Sequence, residues 1–104
     1  MKRAIFLGDS LVRIREFPKA VQRDVGYQIE LVQVGDEPTD WKPMKSVGPG
    51  VREIRIRDTT GAFRVVYVAT YPDAVYVLHA FQKKSNATDR RDLNLATLRL
   101  RLLK

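Results

Sequence analysis

Basic side chains recur along three strand-like stretches in the second half of the chain. Arg55 and Arg57 are two positions apart, Arg64 follows a short turn, and Lys83 and Lys84 follow a third apolar stretch. Residues two apart in a strand share a face, so several of these cations are expected at one sheet edge. Such a cluster suits RNA cleavage without a metal, in which the ribose 2′-hydroxyl attacks the adjacent phosphate. Fixed cations would stabilise the charge that develops on the phosphoryl oxygens.

Proton transfer needs a further group, because a general base and a general acid must complete this reaction. Arginine is a poor base, since its guanidinium does not readily deprotonate. His79 is the only histidine, and its unperturbed pKa suits the role. Lys83 or Lys84 is the alternative base. A hydrogen-bonded structural role for His79 and a solvated strand face for Arg55 and Arg57 also remain open.

Composition excludes several other kinds of site. The chain has no cysteine, which rules out disulfides, thiolate metal sites and a cysteine nucleophile and fits a reducing cytoplasm. Neither a Gly-rich phosphate loop nor a Gly-x-Ser-x-Gly elbow is present, and the carboxylates form no metal-binding pattern. We therefore expect no cofactor and no metal. No apolar run approaches the roughly 20 residues that span a bilayer, so no membrane partner is expected.

The net charge of +7 is distributed unevenly. It is −1 for residues 1–41, +3 for residues 42–81 and +5 for residues 82–104. Basicity concentrated in one part of a chain favours a nucleic acid or an acidic protein as partner.

The first half of the chain predicts one strand and two helices. A short strand over 3–7 ends at Gly8, and Asp9 or Ser10 is a natural N-cap for a short helix that Pro18 terminates. Apolar residues at helical spacing predict a second helix over 19–34. Residues 35–50 are rich in Gly and Pro and are expected to form a long loop, in which Trp41 either covers the core or stacks on a partner.

The second half predicts three strands and a helix. Alternating or continuous apolar residues indicate strands over 51–57, 63–69 and 74–81, separated by turns at 58–62 and 71–73. A polar connector over 85–89 is expected to cap a last helix at Thr88. The length of 104 residues predicts one domain, 1–104. Its order β-α-α-β-β-β-α predicts an α+β fold with an antiparallel sheet, a two-helix N-terminal hairpin and a C-terminal helix.

Several motifs make the chain resemble the RelE/ParE toxin superfamily of type II toxin–antitoxin systems, and within it the HigB-like, phage-derived branch. They are FLGDS at 6–10, WKPMK at 41–45, VREIRIRD at 51–58, RVVY at 64–67 and LHAFQKK at 78–84. The resemblance implies a RelE-like fold and ribosome-dependent cleavage of mRNA in the cytoplasm. It also implies a cognate antitoxin with a DNA-binding helix-turn-helix.

The resemblance assigns roles to individual cations. Arg55, Arg57, Arg64 and Lys84 match the basic residues of the ribonuclease members, with His79 as a candidate base. The cations expected to hold the RNA backbone are Lys42, Lys45, Arg52, Lys83, Arg90 and Arg91. The chain departs from the pattern where ribonuclease members often carry Tyr or His near the start of the last helix, because it has TDRR at 88–91. A DNA gyrase inhibitor that is not an enzyme and an inactive binding module are the alternatives.

Overall fold

The computed structural model describes residues 1–84 and 88–103 and contains three helices and five strands there. Their bounds are β1 Arg3–Phe6, α1 Ser10–Arg15, α2 Lys19–Gln33, β2 Trp41–Pro43, β3 Val51–Asp58, β4 Gly61–Val68, β5 Ala74–Lys83 and α3 Arg90–Arg101. The α+β class is confirmed, with two N-terminal helices and a C-terminal helix packed against one sheet. No helix in this part of the chain is long and apolar enough to cross a membrane.

The sheet is mixed, which corrects the expectation of a wholly antiparallel one. Its strand order is β1-β5-β4-β3-β2, and β1 pairs with β5 in parallel, from Arg3 opposite Ala74 to Phe6 opposite Val77. The remaining pairs are antiparallel. Strand β1 lies at the edge of the sheet beside β5, although α1, α2 and three strands separate the two in sequence. Their parallel direction therefore depends on a contact between distant parts of the chain.

Strand β2 lies inside the segment that the sequence predicts to be loop. Its three residues pair with β3, and Arg55 donates its backbone N–H to the carbonyl of Asp40 at 2.9 Å. A three-residue strand that contains Pro43 carries too few residues for an alternating pattern. The pairing therefore depends on the neighbouring strand and could not be read from the local sequence.

Two apolar cores lie on opposite faces of the sheet. The larger core joins the inward stripe of α2 (Val21, Val25, Ile29, Val32) to alternate residues of β3, β4 and β5. The other core packs Ala96 and Leu100 of α3 onto Val51, Val66, Val68, Leu78 and Phe81. The predicted alternation on β3 is confirmed, because Ile54 and Ile56 face α2. Glu53, Arg55 and Arg57 therefore face the side of α3.

Both capping predictions need refinement. Helix α3 is capped by Asp89, whose carboxylate accepts the backbone N–H of Arg91 at 3.0 Å, and Thr88 is one residue too early. Residues 85–87 of the predicted connector lie outside the described residues. Helix α1 does begin at Ser10, but Asp9 makes no capping hydrogen bond. Its carboxylate binds Arg13 at 3.0 Å and Arg99 at 2.7 Å instead.

A β-bulge determines which residues of β5 face α3. Val66 of β4 lies opposite His79, whereas Tyr67 lies opposite Val77, so Leu78 is an extra residue on β5. Leu78 belongs to the core under α3, while Val77 and Ala80 belong to the other core. The bulge therefore gives two successive residues, Leu78 and His79, to the face that α3 covers.

Candidate phosphate-binding site

The cations of the three central strands form a small grid on the face of the sheet that also carries α3. In one row Arg55 lies opposite Arg64, which lies opposite Phe81. In the next row Arg57 and Lys83 lie on either side of Ala62. Since adjacent strands are about 4.8 Å apart, the backbones of Arg57 and Lys83 are separated by roughly twice that distance. The small side chain of Ala62 leaves the space between them open.

This space belongs to an open basin of about 610 Å³, whose lining includes Arg57, Ala62 and Lys83. Its walls come from the ends of β3 and β5, from β4 and from the β3–β4 turn, and they include Arg55, Arg57, Asp58, Arg64, Lys83 and Lys84. Five of these side chains are cationic, and they include four of the five residues predicted to be catalytic. We refer to this space, lined by Arg55, Arg57, Arg64, Lys83 and Lys84, as the basic basin.

Arg64 lies at the inner wall of the basic basin and is almost fully buried, with 2% of its surface exposed. Its Nη1 donates to the carbonyl of Phe63 at 3.0 Å, and its Nε lies 3.7 Å from Oε1 of Glu53. Burial lowers the pKa of Arg64 and the charge of Glu53 raises it, while Arg55 and Arg57 lower it further. Arg64 therefore places a fixed, tightly enclosed positive charge beside the open space.

The single carboxylate of the basin wall is engaged in the turn. Oδ1 of Asp58 accepts the backbone N–H of Thr60 at 2.8 Å and also the Thr60 hydroxyl. These hydrogen bonds lower the pKa of Asp58, so the carboxylate is ionised at neutral pH. The ionised carboxylate orders the β3–β4 hairpin. Its single negative charge is outnumbered by the five cations of the wall, so the basin stays net positive.

His79 lies outside the basic basin and is completely buried. Its Nε2 lies 2.7 Å from Oδ1 of Asp92, and its Nδ1 lies 3.2 Å from Nη1 of Arg99. Because the guanidinium can only donate, we assign the proton to Nε2, which donates to Asp92. Burial lowers the pKa of His79 although Asp92 opposes the shift. With both nitrogens occupied, the imidazole has no free site for a proton from a substrate, and the geometry fits the structural role.

Arg99 and Asp9 extend this contact into a network that ties three elements together. Arg99 of α3 donates to the carbonyl of Leu78 at 3.0 Å and to Oδ1 of Asp9 at 2.7 Å. Asp9 also accepts from Arg13 of α1 at 3.0 Å. These two arginines lower the pKa of Asp9 to about 2. The network holds α1 and α3 against the middle of β5, at Leu78 and His79.

The six cations predicted to hold the RNA backbone do not converge on one place. Lys83 lines the basic basin, and Lys42 pairs with Glu53 in register, which puts it on the same face of the sheet. Arg91 lines a neighbouring cleft of about 430 Å³ that shares Lys83 and Lys84 with the basin. Arg90, in the same first turn of α3, is exposed.

Arg52 and Lys45 line a different groove, of about 530 Å³, near the start of β3. The guanidinium of Arg52 lies 3.9 Å from the centre of the Trp41 ring, and the indole N–H donates to Oε2 of Glu37 at 3.1 Å. Trp41 therefore rests against Arg52 on the surface instead of covering the core. Arg52 and Arg57 are five positions apart, about 17 Å along a strand.

Glu53 is the residue of this site that the sequence analysis did not identify. It is 8% exposed, and it forms the ion pair with Arg64. The alternation along β3 could have identified Glu53, because a carboxylate at position 53 shares a strand face with Arg55 and Arg57. Within the described ranges, no group of three or more His, Cys, Asp or Glu side chains could hold a metal ion.

A family of known proteins matches most of the chain. Residues 13–101 match the family described as "Phage derived protein Gp49-like (DUF891)", and this span contains every residue of the basic basin. Among curated proteins, no significant match is found.

Proposed function

Because the chain belongs to the Gp49-like phage-derived family, which is part of the RelE/HigB-type toxin group of toxin–antitoxin systems, we propose that it is a ribosome-dependent mRNA endoribonuclease. It would be the toxin of a type II pair in the HigB-like branch and would act in the cytoplasm. The observation that carries this proposal is the open space over Ala62 between Arg57 and Lys83, with Arg64 beside it. A phosphodiester is the anion that such a space would accept.

Cleavage would proceed by transfer within the RNA. The ribose 2′-oxygen forms a bond to phosphorus as its proton leaves, and the bond from phosphorus to the 5′-oxygen breaks as that oxygen gains a proton. Arg57 and Arg64 would bind the phosphoryl oxygens and stabilise their charge, and Arg55 would add to that stabilisation. Of the basin cations only Lys83 and Lys84 exchange protons readily, so we assign proton transfer to this pair, with Lys84 preferred.

The surrounding cations would hold RNA away from the cut. Lys42 extends the face of the basin by one strand, and Arg91 extends it across the adjoining cleft. Lys45, Arg52 and Arg90 lie on other surfaces and would contact ribosomal RNA. The partner would be a helix-turn-helix antitoxin that covers the basic basin or blocks entry to the ribosome.

The test is to induce the protein in growing cells and map mRNA 5′ ends. We expect new ends phased with codons in translated messages. Arg57→Ala should reduce their number at least about 100-fold, as expected when a group that stabilises transition-state charge is lost. Arg57 is exposed, and among the described residues its side chain makes no hydrogen bond or salt bridge, so its removal should spare the fold. Arg64→Ala is less suitable because it leaves the buried carboxylate of Glu53 without its ion pair.

Arg23→Ala is the matched control, since Arg23 is an exposed arginine on α2, on the other side of the sheet from the basin. The Arg23→Ala protein should produce as many new mRNA 5′ ends as the wild type does. Intact mRNA together with DNA damage after induction would reject the ribonuclease proposal and favour gyrase as the target. Growth arrest with neither effect would favour a toxin-like binding module.

A further inference from the structure

Arg64 occupies a position that is unfavourable for a cation. It is buried, it lies directly opposite Arg55, and the charge of Arg57 acts on it as well. Like charges directly opposite on adjacent strands destabilise a sheet, and burial of a charge is costly unless it is paired. Some other group must therefore hold the Arg64 guanidinium in this place.

The side chain of Glu53 supplies a carboxylate beside the Arg64 guanidinium. Among the described residues, Glu53 supplies the one salt bridge of Arg64, with Oε1 at 3.7 Å from Nε. Both side chains are buried. Oε2 of Glu53 and Nε of Arg64 have no hydrogen-bond partner in the described part of the chain. The pair is thus close enough for charge attraction, while its hydrogen-bonding capacity is only partly used.

The position of Glu53 in the grid decides what this attraction does. Glu53 lies opposite Val66, one row from Arg64 and two rows from the open space over Ala62. Two rows are four residues, or about 13 Å along the strand. Glu53 therefore attracts Arg64 from the side away from the open space, and its buried carboxylate stays clear of an incoming phosphate.

We propose that Glu53 is the positioning residue of the phosphate site. Together with the carbonyl of Phe63 it fixes the Arg64 guanidinium beside the basic basin and offsets repulsion from Arg55 and Arg57. This inference rests on the proposed function for its biological ligand, a phosphodiester. The chemistry it needs is only that the basin binds phosphate through Arg64.

The experiment observes the Arg64 Nε–H group by NMR in the full chain, with inorganic phosphate as the probe. In the wild type we expect slow hydrogen exchange at this group and a shift of its resonance on phosphate addition. Glu53→Gln should accelerate the exchange and weaken phosphate binding about tenfold, the loss expected for one charge-assisted contact. A Glu53→Gln protein with the exchange rate and phosphate affinity of the wild type would overturn the proposal.

Glu30→Gln is the matched control, because Glu30 is exposed on α2 and makes no described side-chain contact. It changes the net charge by the same amount and should leave both measurements as in the wild type. Since both substitutions make the protein more positive, net charge alone would raise its affinity for phosphate. An equal loss of affinity in Glu30→Gln would therefore show that the loss is not specific to position 53 and would reject positioning.

A measurement on the wild type alone covers the case in which Glu53→Gln does not fold. The Nε–H of Arg64 should exchange much more slowly than that of Arg57, which is exposed. Equal exchange rates would reject positioning. Because no ribosome or mRNA is used, these results are separate from the test of function. If mRNA is not cleaved but the Arg64 measurements agree with positioning by Glu53, only the ribonuclease proposal is rejected.

Discussion

At the scale of single residues, burial separates His79 from the cations of the basic basin. Three arginines supply most of the charge in the basin, and the lysines at the end of β5 supply the rest. The imidazole of His79 is held by Asp92 and Arg99 beneath α3. The residue with the most suitable unperturbed pKa is therefore the one that a substrate cannot reach.

His79→Gln tests this separation. The substitution removes a buried ring whose two nitrogens have partners, so we expect the free energy of unfolding to fall by about 2–4 kcal/mol. Urea denaturation measures this loss. The cleavage rate per folded molecule should stay within about twofold of the wild type. A variant that is as stable as the wild type but inactive would show that His79 acts in the chemistry.

At the scale of elements, the sheet and its two flanking layers determine where the cations meet. The β3–β4 pairing sets Arg55 opposite Arg64, and the β4–β5 pairing sets Lys83 opposite Ala62. The Asp9–Arg99 ion pair then joins α1 to α3 across the middle of β5, where Arg99 also binds the carbonyl of Leu78. A loss of this tie should loosen the packing of the two helices on β5.

Acid titration tests the contribution of this tie. The folded-state pKa of Asp9 is lowered from 3.8 to about 2, so its stabilising effect is complete only above about pH 5, well above the unfolded pKa. It is lost as the pH falls towards 2. The side chain is 44% exposed, and solvent screening reduces the expected contribution to about 1 kcal/mol. Denaturation between pH 2 and 5 should show a smaller pH dependence for Asp9→Asn. An unchanged dependence would contradict the assignment.

At the scale of the whole molecule, the net charge of +7 acts through its distribution. The basic basin lies at one end of the sheet, on the face of α3, whereas Arg52 and Trp41 form a separate contact near the other end of β3. A polyanion that binds this face would meet the five clustered cations of the basic basin. Its binding should therefore depend strongly on salt.

The salt dependence of binding to a 2′-deoxy oligonucleotide, which cannot undergo 2′-hydroxyl attack, measures this effect. Each phosphate contact contributes about 0.7 to the slope of log affinity against log salt concentration for a single strand. Arg57→Gln should lower the slope by about that amount. Arg23→Gln, on the exposed side of α2, should leave it unchanged. Equal slopes for the two variants would place the nucleic acid elsewhere.

Much of the element order followed from local patterns. The helical spacing of Val21, Val25, Ile29 and Val32 and the alternation along β3 require only that apolar residues turn toward a core. The parallel pairing of β1 and the three-residue strand β2 did not follow, since both depend on neighbours distant in sequence.

The sequence by itself determined which residues are cationic and that Arg55 and Arg57 share a strand face, because side-chain alternation is a local property of the backbone. Only the tertiary structure decided that Arg57 and Lys83 flank Ala62, that Glu53 forms an ion pair with Arg64 and that His79 is enclosed. Strand register, a bulge and burial under α3 create these relations, and each requires contacts between distant parts of the chain.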